Sequence, residues 1–393
     1  MDLALLNPDI QKFITLNLTV SSTKLVFQKN PFPNMDWAAI INQIVAKQKA
    51  KDKLPLWYVT ENIVYPSKIS LEQASSEKTA KYKSGLVSGD NLIDLTGGFG
   101  VDDFYFSKKV KQVTHCEINE ELSQIVAHNF NQMKVANCDF SIGNSETTLA
   151  ALNQQFDWIY IDPSRRNEAK GKVFMLKDCA PNVPDLLNFY FKYSSNILIK
   201  TAPILDITAG LLELKNVKEI HVVAVDNEVK ELLWVIKKNH LNPVAIKAIN
   251  LLKNNTETFE TKASEMEFSV AFSLPKKYLY EPNSAIMKSG AFNTVASQFS
   301  IDKLHPNSHL YTSDNLIDFP GRIFEIQNTI PYHKTEMKSF LMDKKANITI
   351  RNFSETVENI RKKWKIKDGG NLYSFFTTDK NDRKIVLLCS KLK

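Results

Sequence analysis

The chain has 393 residues, a length that predicts two or three domains rather than one. Apolar residues make up 43% and charged residues 24%, which excludes a disordered chain or a fibre. No apolar run approaches the roughly 20 residues of a membrane helix, and the first residues carry no signal-peptide pattern. We therefore expect a globular protein of the cytoplasm with no membrane association.

The four cysteines do not indicate a metal site, and the positive charge of the chain is unevenly distributed. The cysteines lack C-x-x-C spacing, so no zinc site and no disulfide framework are predicted. The net charge of +7 is concentrated near the end, where residues 341–393 hold 13 basic and 6 acidic side chains and leave 37 of each sign elsewhere. This asymmetry is typical of a segment that binds nucleic acid, and a solvated lysine-rich surface would give the same pattern.

Two regions with different secondary-structure patterns occupy the first two thirds of the chain. Residues 1–85 are predicted to be helical, with helices over 37–50 and 71–82 and prolines between them. Residues 86–274 alternate strands with helices, which predicts a Rossmann-like parallel sheet covered on both faces. Residues 222–238 are predicted to form an antiparallel hairpin, whereas β-rich runs at 244–252 and 267–274 have no evident partner. The predicted parallel strands are 91–95, 113–118, 138–142, 157–162, 196–201 and 219–225.

The βα alternation stops after Pro275. Within a connecting segment over residues 275–322, a turn followed by a helix is predicted at 278–299. Residues 323–393 follow the pattern β-α-β-α-β-β, which predicts a small basic α+β domain. Ser354 is the predicted N-cap of its second helix, and Gly369-Gly370 are predicted to end that helix.

A glycine-rich turn follows the first predicted strand, in the segment DLTGGFGVD (94–102). Nicotinamide enzymes and adenosylmethionine enzymes both use such turns, and a tight turn without a ligand is a further alternative. Glu117 ends the second strand, 23 residues after Asp94, where an ionised acid can accept hydrogen bonds from both ribose hydroxyls. The turn and Glu117 together predict a cofactor of the adenosine type.

The ends of the third and fourth strands favour one cofactor class. Gly143-Asn144-Ser145 follows the third strand, where a polar side chain would contact adenine. The segment DPSRR (162–166) follows the fourth strand and puts a carboxylate and a rigid turn beside the reactive end of the cofactor. Since nicotinamide enzymes do not need that arrangement, the sequence favours adenosylmethionine.

With these motifs the chain resembles the class I S-adenosyl-L-methionine-dependent methyltransferases, and specifically a bacterial family of RNA methyltransferase-like proteins with a THUMP-like C-terminal domain. The resemblance implies a Rossmann-like domain at 86–274, a ferredoxin-like or linker segment at 275–322 and a THUMP-like domain at 323–393. It is carried by 72–83 (EQASSEKTAKYK), 94–102, 162–166, 200–207 (KTAPILDI), 227–233 (NEVKELL) and 278–282 (YLYEP).

The resemblance also implies roles for single residues around the cofactor. Asp102 would hold the glycine-rich turn or meet the methionine amine, and Glu117 would bind the ribose. Ile118 would lie against the adenine, with Asn144 near its exocyclic amine and Ser145 beside it. The methionine and ribose portions would be cradled by Asp94, Thr96, Gly97, Gly98 and Gly100.

Asp162 and Pro163 match the start of the Asp-Pro-Pro-aromatic motif of methyltransferases that modify base nitrogens. Ser164 replaces the second proline and Arg165 replaces the aromatic residue, so the candidate catalytic residues are Asp162, Pro163 and Arg165. A guanidinium can stack on a base or bind phosphate, and Arg166 is a candidate for nucleic-acid binding. A 5-methylcytosine mechanism is not expected, because it needs a thiolate beside this motif.

Other polar residues of these motifs have less specific interpretations. Lys200 and Lys230 are predicted at the surface. The Ser75-Ser76-Glu77 cluster is interpreted either as a polar helix face or, with slight preference, as a lid over the cofactor.

The last predicted helix carries most of the clustered charge. Val357, Ile360 and Trp364 share one helix face, which predicts that Trp364 is a core residue. THUMP domains bind RNA, so the resemblance implies an RNA methyltransferase that modifies a base nitrogen. The alternatives are a small-molecule or protein methyltransferase and a non-catalytic RNA-binding protein. The cations expected to face phosphates are Arg361, Lys362, Lys363 and Lys365.

Overall fold

The structure, a computed structural model, describes residues 3–165, 175–265 and 269–393. The chain divides into two compact units, one of residues 1–218 with 232–241 and one of residues 219–231 with 242–393. Among the residues described, no helix is long and apolar enough to cross a membrane. The same residues contain no cluster of His, Cys, Asp and Glu side chains suited to a metal ion.

Six helices precede the first strand. The helix predicted over 71–82 is in fact two, because Ser76 turns its hydroxyl back to cap the second of them by accepting from the Thr79 amide. The helices pack on the first βα unit, where the Trp57 ring lies 5.1 Å from the Phe104 ring. The six are α1 (Pro8–Leu16), α2 (Ser22–Val26), α3 (Trp37–Lys53), α4 (Pro55–Val59), α5 (Lys68–Gln73) and α6 (Glu77–Ser84).

Strands and helices then alternate as predicted. The strands are β1 (Asn91–Asp94), β2 (Gln112–Glu117), β3 (Cys138–Ile142), β4 (Trp158–Ile161), β5 (Ser164–Arg165), β6 (Cys179–Ala180), β7 (Asn196–Thr201), β8 (Val217–Val225), β9 (Glu228–Lys237), β10 (Ala245–Leu251) and β11 (Thr256–Lys262). The helices are α7 (Val101–Phe106), α8 (Glu120–Gln132), α9 (Ser145–Leu152), α10 (Val183–Tyr190) and α11 (Ile207–Glu213).

The first unit is built on a parallel sheet in the order β3-β2-β1-β4-β7. Residues 232–237 of β9 run antiparallel to β7 and end the parallel run. The carboxyl ends of the parallel strands therefore meet along one edge, which is where open α/β sheets bind ligands. The fold class predicted from the sequence, an α/β sheet after N-terminal helices and before a small α+β domain, is confirmed.

In the second unit β10 pairs with β8 and with β11. The run at 244–252 therefore has a partner in β11, a strand the sequence analysis missed. Its inward side chains are Glu257, Phe259 and Thr261, so two polar residues obscure the apolar alternation. Of the run at 267–274, residues 267 and 268 lie outside the described part, and the remainder holds one isolated bridge at Phe272.

A second sheet of order β13-β14-β12-β15-β18-β17-β16 completes this unit. The region 278–299 begins with a strand rather than a turn, and the β-α-β-α-β-β order that follows is confirmed. Its elements are β12 (Tyr278–Pro282), α12 (Ser284–Ser289), α13 (Phe292–Phe299), β13 (Asp302–Lys303), β14 (Tyr311–Ser313), β15 (Gly321–Pro331), α14 (Lys334–Phe340), β16 (Asn347–Ile350), α15 (Val357–Trp364), β17 (Leu372–Thr378) and β18 (Lys384–Lys391).

Helix α15 begins and ends at residues other than those predicted. Thr356, not Ser354, caps the helix, and the Ser354 hydroxyl instead accepts from Lys384 Nζ. The helix ends at Trp364 with Lys365 in the left-handed conformation, before Gly369-Gly370.

Candidate cofactor and acceptor site

The glycine-rich turn joins β1 to α7 in a conformation that needs its glycines. Gly98 and Gly100 have φ of +54° and +69°, a region that residues with a Cβ rarely adopt. Gly97 has a different reason, since a Cβ there would lie 2.2 Å from Cε1 of the buried His115 ring. The turn thus brings its backbone to the carboxyl edge of the sheet with no side chain in the way.

Glu117, at the end of β2, is bound to this turn. Its two carboxylate oxygens accept from the Gly98 amide at 2.9 Å and the Asn119 amide at 2.8 Å. Each oxygen keeps a lone pair, so the half-buried carboxylate can still accept two hydroxyl hydrogen bonds. These contacts fit the ribose of an adenosine cofactor.

Exposed apolar side chains lie next to Glu117. Ile118 is 73% exposed, although isoleucine is usually buried. Ile142, opposite Glu117 in the register of β2 and β3, is also exposed, and the sequence analysis missed it. The position of Ile142 at the end of a predicted strand could have indicated that it lies at the site. Together the two isoleucines provide an apolar surface suited to a purine ring.

Asn144 and Ser145 lie at the start of α9 after β3. The Asn144 side-chain oxygen caps this helix, accepting from the Thr147 amide at 2.9 Å and its hydroxyl at 2.8 Å. Ser145 is buried, with its hydroxyl 3.3 Å from that of Tyr190. Asn144 is therefore fixed at the sheet edge, whereas the Ser145 side chain packs inward.

Three buried titratable groups lie beneath the glycine-rich turn. His115 Nδ1 is 2.6 Å from Asp103 Oδ2, and burial lowers the pKa of His115, which favours the neutral imidazole. Burial, with mutual charge repulsion, raises the pKa of Asp94 well above its usual value, and burial does the same for Asp103. The carboxyl pair therefore retains a proton to higher pH than an exposed pair would.

The retained proton makes stability depend on pH. A carboxyl pKa raised by folding adds stability below the unfolded pKa of about 3.9, and that stability is lost as pH rises through the folded pKa. The asparagine of Asp103→Asn cannot ionise. We therefore expect the unfolding free energy of this variant to fall less steeply with pH than that of the wild type above about pH 5, the slopes differing by up to about 1.4 kcal/mol per pH unit. Urea unfolding at a series of pH values measures this. The exposed Asp139→Asn is the control, and equal slopes for the two variants would contradict the prediction.

The turn after β4, which begins with Asp162 and Pro163, contacts the glycine-rich turn through one threonine. Thr96 Oγ1 donates to Asp94 Oδ1 at 3.1 Å and accepts from the Asp162 amide at 2.7 Å. Pro163 is buried behind Asp162. Arg165 pairs through its backbone with the buried Cys179, and Arg166 lies outside the described residues. Asp162 and the glycine-rich turn are thus held at the same point of the sheet edge.

Lys200 is not the surface residue that the sequence suggested. It is the penultimate residue of β7, its side chain is largely buried, and its Nζ donates to the Asp162 carboxylate. The KTAP pattern at the end of a strand could have indicated a functional lysine. The sequence around Lys200 cannot show, however, that its partner is a carboxylate 38 residues away. Lys230, in contrast, is exposed and pairs with Glu228, as predicted.

A second buried ion pair lies between α6 and α7. Lys83 Nζ is 3.2 Å from Asp102 Oδ1, and both Ser75 and Tyr160 donate to Asp102 Oδ2 at 2.8 Å. The Ser75-Ser76-Glu77 cluster is therefore not an exposed polar helix face, because Ser75 is buried on Asp102 and Glu77 accepts from the Tyr105 hydroxyl.

In the second unit, the predicted basic ridge on α15 is partly occupied by internal contacts. Trp364 is buried in the core, as predicted. Arg361 bonds the Ala346 carbonyl and Asp368, and Lys363 pairs with Glu355. Lys362 and Lys365 are exposed. The ridge thus offers fewer exposed cations than the sequence suggested.

Two solved structures match part of this chain at low similarity. An rRNA methylase from Streptococcus thermophilus is 12% identical, with 41% of this chain and 95% of that chain covered at a TM-score of 0.30. TrmK of M. capricolum, solved with S-adenosyl-homocysteine, is 15% identical, with 42% and 71% covered at 0.32. At these TM-scores neither supports any argument about function. Among curated proteins, none matches this chain.

One solved structure matches the whole chain. It is a protein from Porphyromonas gingivalis W83 described as a "putative methyltransferase", 32% identical over 100% of both chains, with a TM-score of 0.88. Two family models match the C-terminal third, a ferredoxin-like domain at residues 278–320 and a THUMP-like domain at residues 321–391. The chain therefore belongs to the methyltransferase-like family of the Porphyromonas protein, with ferredoxin-like and THUMP-like domains after its α/β domain.

Proposed function

We propose that the protein is an S-adenosyl-L-methionine-dependent methyltransferase that acts on structured RNA in the cytoplasm. The observation that carries the proposal is the placement of Glu117, the glycine-rich turn and Asp162 on adjacent strand ends, joined through Thr96. In this proposal the cofactor site and the acceptor site lie side by side.

The cofactor, when bound, would supply a methyl group already activated on a sulfonium. The chain has to bind and orient it and to exclude water. Glu117 would accept the ribose hydroxyls, Ile118 and Ile142 would cover adenine, and Asn144 would face the adenine amine with Ser145 supporting it. The backbone around the methionine and ribose portions would come from Asp94, Thr96, Gly97, Gly98, Gly100 and Asp102.

A base nitrogen is the acceptor that the Asp162-Pro163 match supports. The Asp162 carboxylate, or the backbone carbonyl of Asp162 or Pro163, would accept the N–H of the base and aim its nitrogen. Arg165 would stack on the base or bind its phosphate, and Arg166 would contact RNA.

A hydroxyl acceptor is a second candidate, favoured by the contact between Lys200 and Asp162. A hydroxyl can donate to Asp162 and accept from Lys200 while keeping one lone pair for the methyl group. A planar exocyclic amine has no lone pair to accept from the lysine. The ribose 2′-hydroxyl has the required chemistry.

RNA is the proposed polymer because the C-terminal domain is THUMP-like and carries the excess positive charge. Lys362 and Lys365 would contact phosphates directly. Arg361 and Lys363 would attract the phosphates through their positive charge while they keep their contacts with Asp368 and Glu355.

The function is tested by methyl transfer from labelled cofactor to total RNA, followed by digestion to nucleosides and mass spectrometry. Label on a base supports the first acceptor and label on ribose the second. Label only in small molecules or protein would reject RNA as the substrate. Failure to bind S-adenosylhomocysteine would leave a non-catalytic RNA-binding protein.

Glu117→Ala is expected to weaken S-adenosylhomocysteine binding by roughly 1–3 kcal/mol, because the charge-assisted bonds to ribose are lost. Isothermal calorimetry measures the change. Glu120→Ala, an exposed glutamate at the start of α8, is the matched control. Unchanged affinity in Glu117→Ala would show that the ribose lies elsewhere.

A further inference from the structure

Lys83 is a buried cation whose contacts lead to the cofactor turn. Its side chain is 0% exposed, and a buried ammonium is costly unless it is paired. Lys83 Nζ lies 3.2 Å from Asp102 Oδ1 and 3.0 Å from Ser75 Oγ. Lys83 is fully buried, so an effect on binding would be indirect, and Asp102 is the carboxylate that it meets.

Asp102 is the more accessible end of this network. Its side chain is 10% exposed, and Ser75 and Tyr160 each donate to Oδ2 at 2.8 Å while Lys83 lies beside Oδ1. Lys83 in α6, Ser75 in the segment before it and Tyr160 in β4 therefore fix one orientation of the Asp102 carboxylate. Asp102 is the second residue of α7, two positions after Gly100.

The methionine end of the proposed cofactor carries an α-ammonium group, for which an ionised, pre-oriented carboxylate is the natural acceptor. We propose that Lys83 is a positioning residue that holds Asp102 ionised and oriented to bind the α-ammonium of the cofactor. This inference rests on the proposed function, in which Asp102 lies at the methionine end, and adds to it the residue that positions Asp102.

The charges around Asp102 explain why a lysine is needed. Burial opposes ionisation of Asp102. The cations of Lys83 and Lys200, with the Ser75 and Tyr160 hydrogen bonds, outweigh burial and lower the pKa of Asp102. Removing Lys83 would let that pKa rise. The titratable groups that face Asp102 are Lys83, Lys200, Tyr160, Asp94 and Asp103.

The test compares two ligands on Lys83→Met. S-adenosylhomocysteine carries the amino-acid end, and 5′-methylthioadenosine lacks it. Calorimetry on the full chain should show affinity for the first reduced about tenfold or more, with affinity for the second unchanged. As the pH rises, the ratio of variant to wild-type Kd should shrink, because Asp102, whose pKa is higher without Lys83, regains its charge. Taking the ratio cancels the titration of the ligand's own ammonium.

Equal losses for both ligands, or no loss for either, would overturn the positioning role. A ratio that does not change with pH would overturn the claim that Lys83 acts by keeping Asp102 ionised. If Lys83→Met does not fold, Ser75→Ala removes one hydrogen bond from the same carboxylate and should show a smaller loss, about threefold, for S-adenosylhomocysteine alone.

Lys111→Met is the control, because Lys111 is an exposed lysine paired with Asp90 and should leave both affinities unchanged. The proposed function and the role of Lys83 are rejected by different outcomes. Wild-type protein that binds neither ligand would reject the proposed function. Wild-type protein that binds both, with no selective loss in either variant, would reject only the role of Lys83.

Discussion

Asp162→Asn is expected to lower the rate of methyl transfer by about 100- to 1000-fold while S-adenosylhomocysteine affinity stays within about twofold of wild type. The Asp162 amide, which bonds Thr96, is unchanged by the substitution, so the cofactor turn keeps its support. The carboxylate that would accept the substrate proton and that binds Lys200 is lost. Single-turnover transfer of labelled methyl, beside calorimetry with S-adenosylhomocysteine, separates the two effects.

The matched control for this variant is Asp178→Asn, a change at an exposed aspartate that should alter neither quantity. A parallel loss of rate and cofactor affinity in Asp162→Asn would mean that Asp162 supports the cofactor rather than the acceptor. A rate close to that of wild type would remove Asp162 from the acceptor site.

Gly97→Ala is expected to destabilise the first unit by about 3 kcal/mol and to abolish binding of S-adenosylhomocysteine. The added Cβ would lie 2.2 Å from Cε1, 2.3 Å from Nδ1 and 2.8 Å from Nε2 of His115. That ring is fully buried and lies against Asp103, so it cannot move aside without breaking its contact. The turn would have to shift instead, and the Gly98 amide would lose Glu117.

Urea unfolding and calorimetry with S-adenosylhomocysteine check this expectation. Gly85→Ala is the control, since Gly85 ends α6 at φ −75°, a conformation that alanine adopts readily, and its added Cβ would lie 3.3 Å from the nearest atom. We expect it to change stability by less than about 1 kcal/mol. A Gly97→Ala protein as stable as wild type would show that the turn tolerates displacement.

The order of elements could be predicted because most of the parallel strands are short apolar runs bounded by turn residues. Strands whose polar side chains face inward could not be predicted in this way. β11 directs Glu257 and Thr261 into the interior, where Glu257 accepts from Asn250 and Asn283, so its buried face does not look apolar. Ser76 broke a predicted helix for a related reason, since a hydroxyl can cap a helix as readily as lie on one.

The site was predictable only where it is local in sequence. The glycine-rich turn and Glu117 occupy strand ends whose roles follow from the sheet. The ion pairs of Lys83 and Lys200 join residues 19 and 38 positions apart, and no local pattern says which carboxylate a lysine will meet. Lys200 was therefore assigned to the surface, and Lys83 was not singled out at all.

The hydroxyl of Thr96 has a consequence for how the two turns move. Because one oxygen donates to Asp94 and accepts from the Asp162 amide, a displacement of either turn strains a bond to the other. A serine at this position would preserve the linkage, whereas a valine of the same shape would sever it without leaving a void. A ligand that displaced one turn would therefore also displace the other through this single hydroxyl.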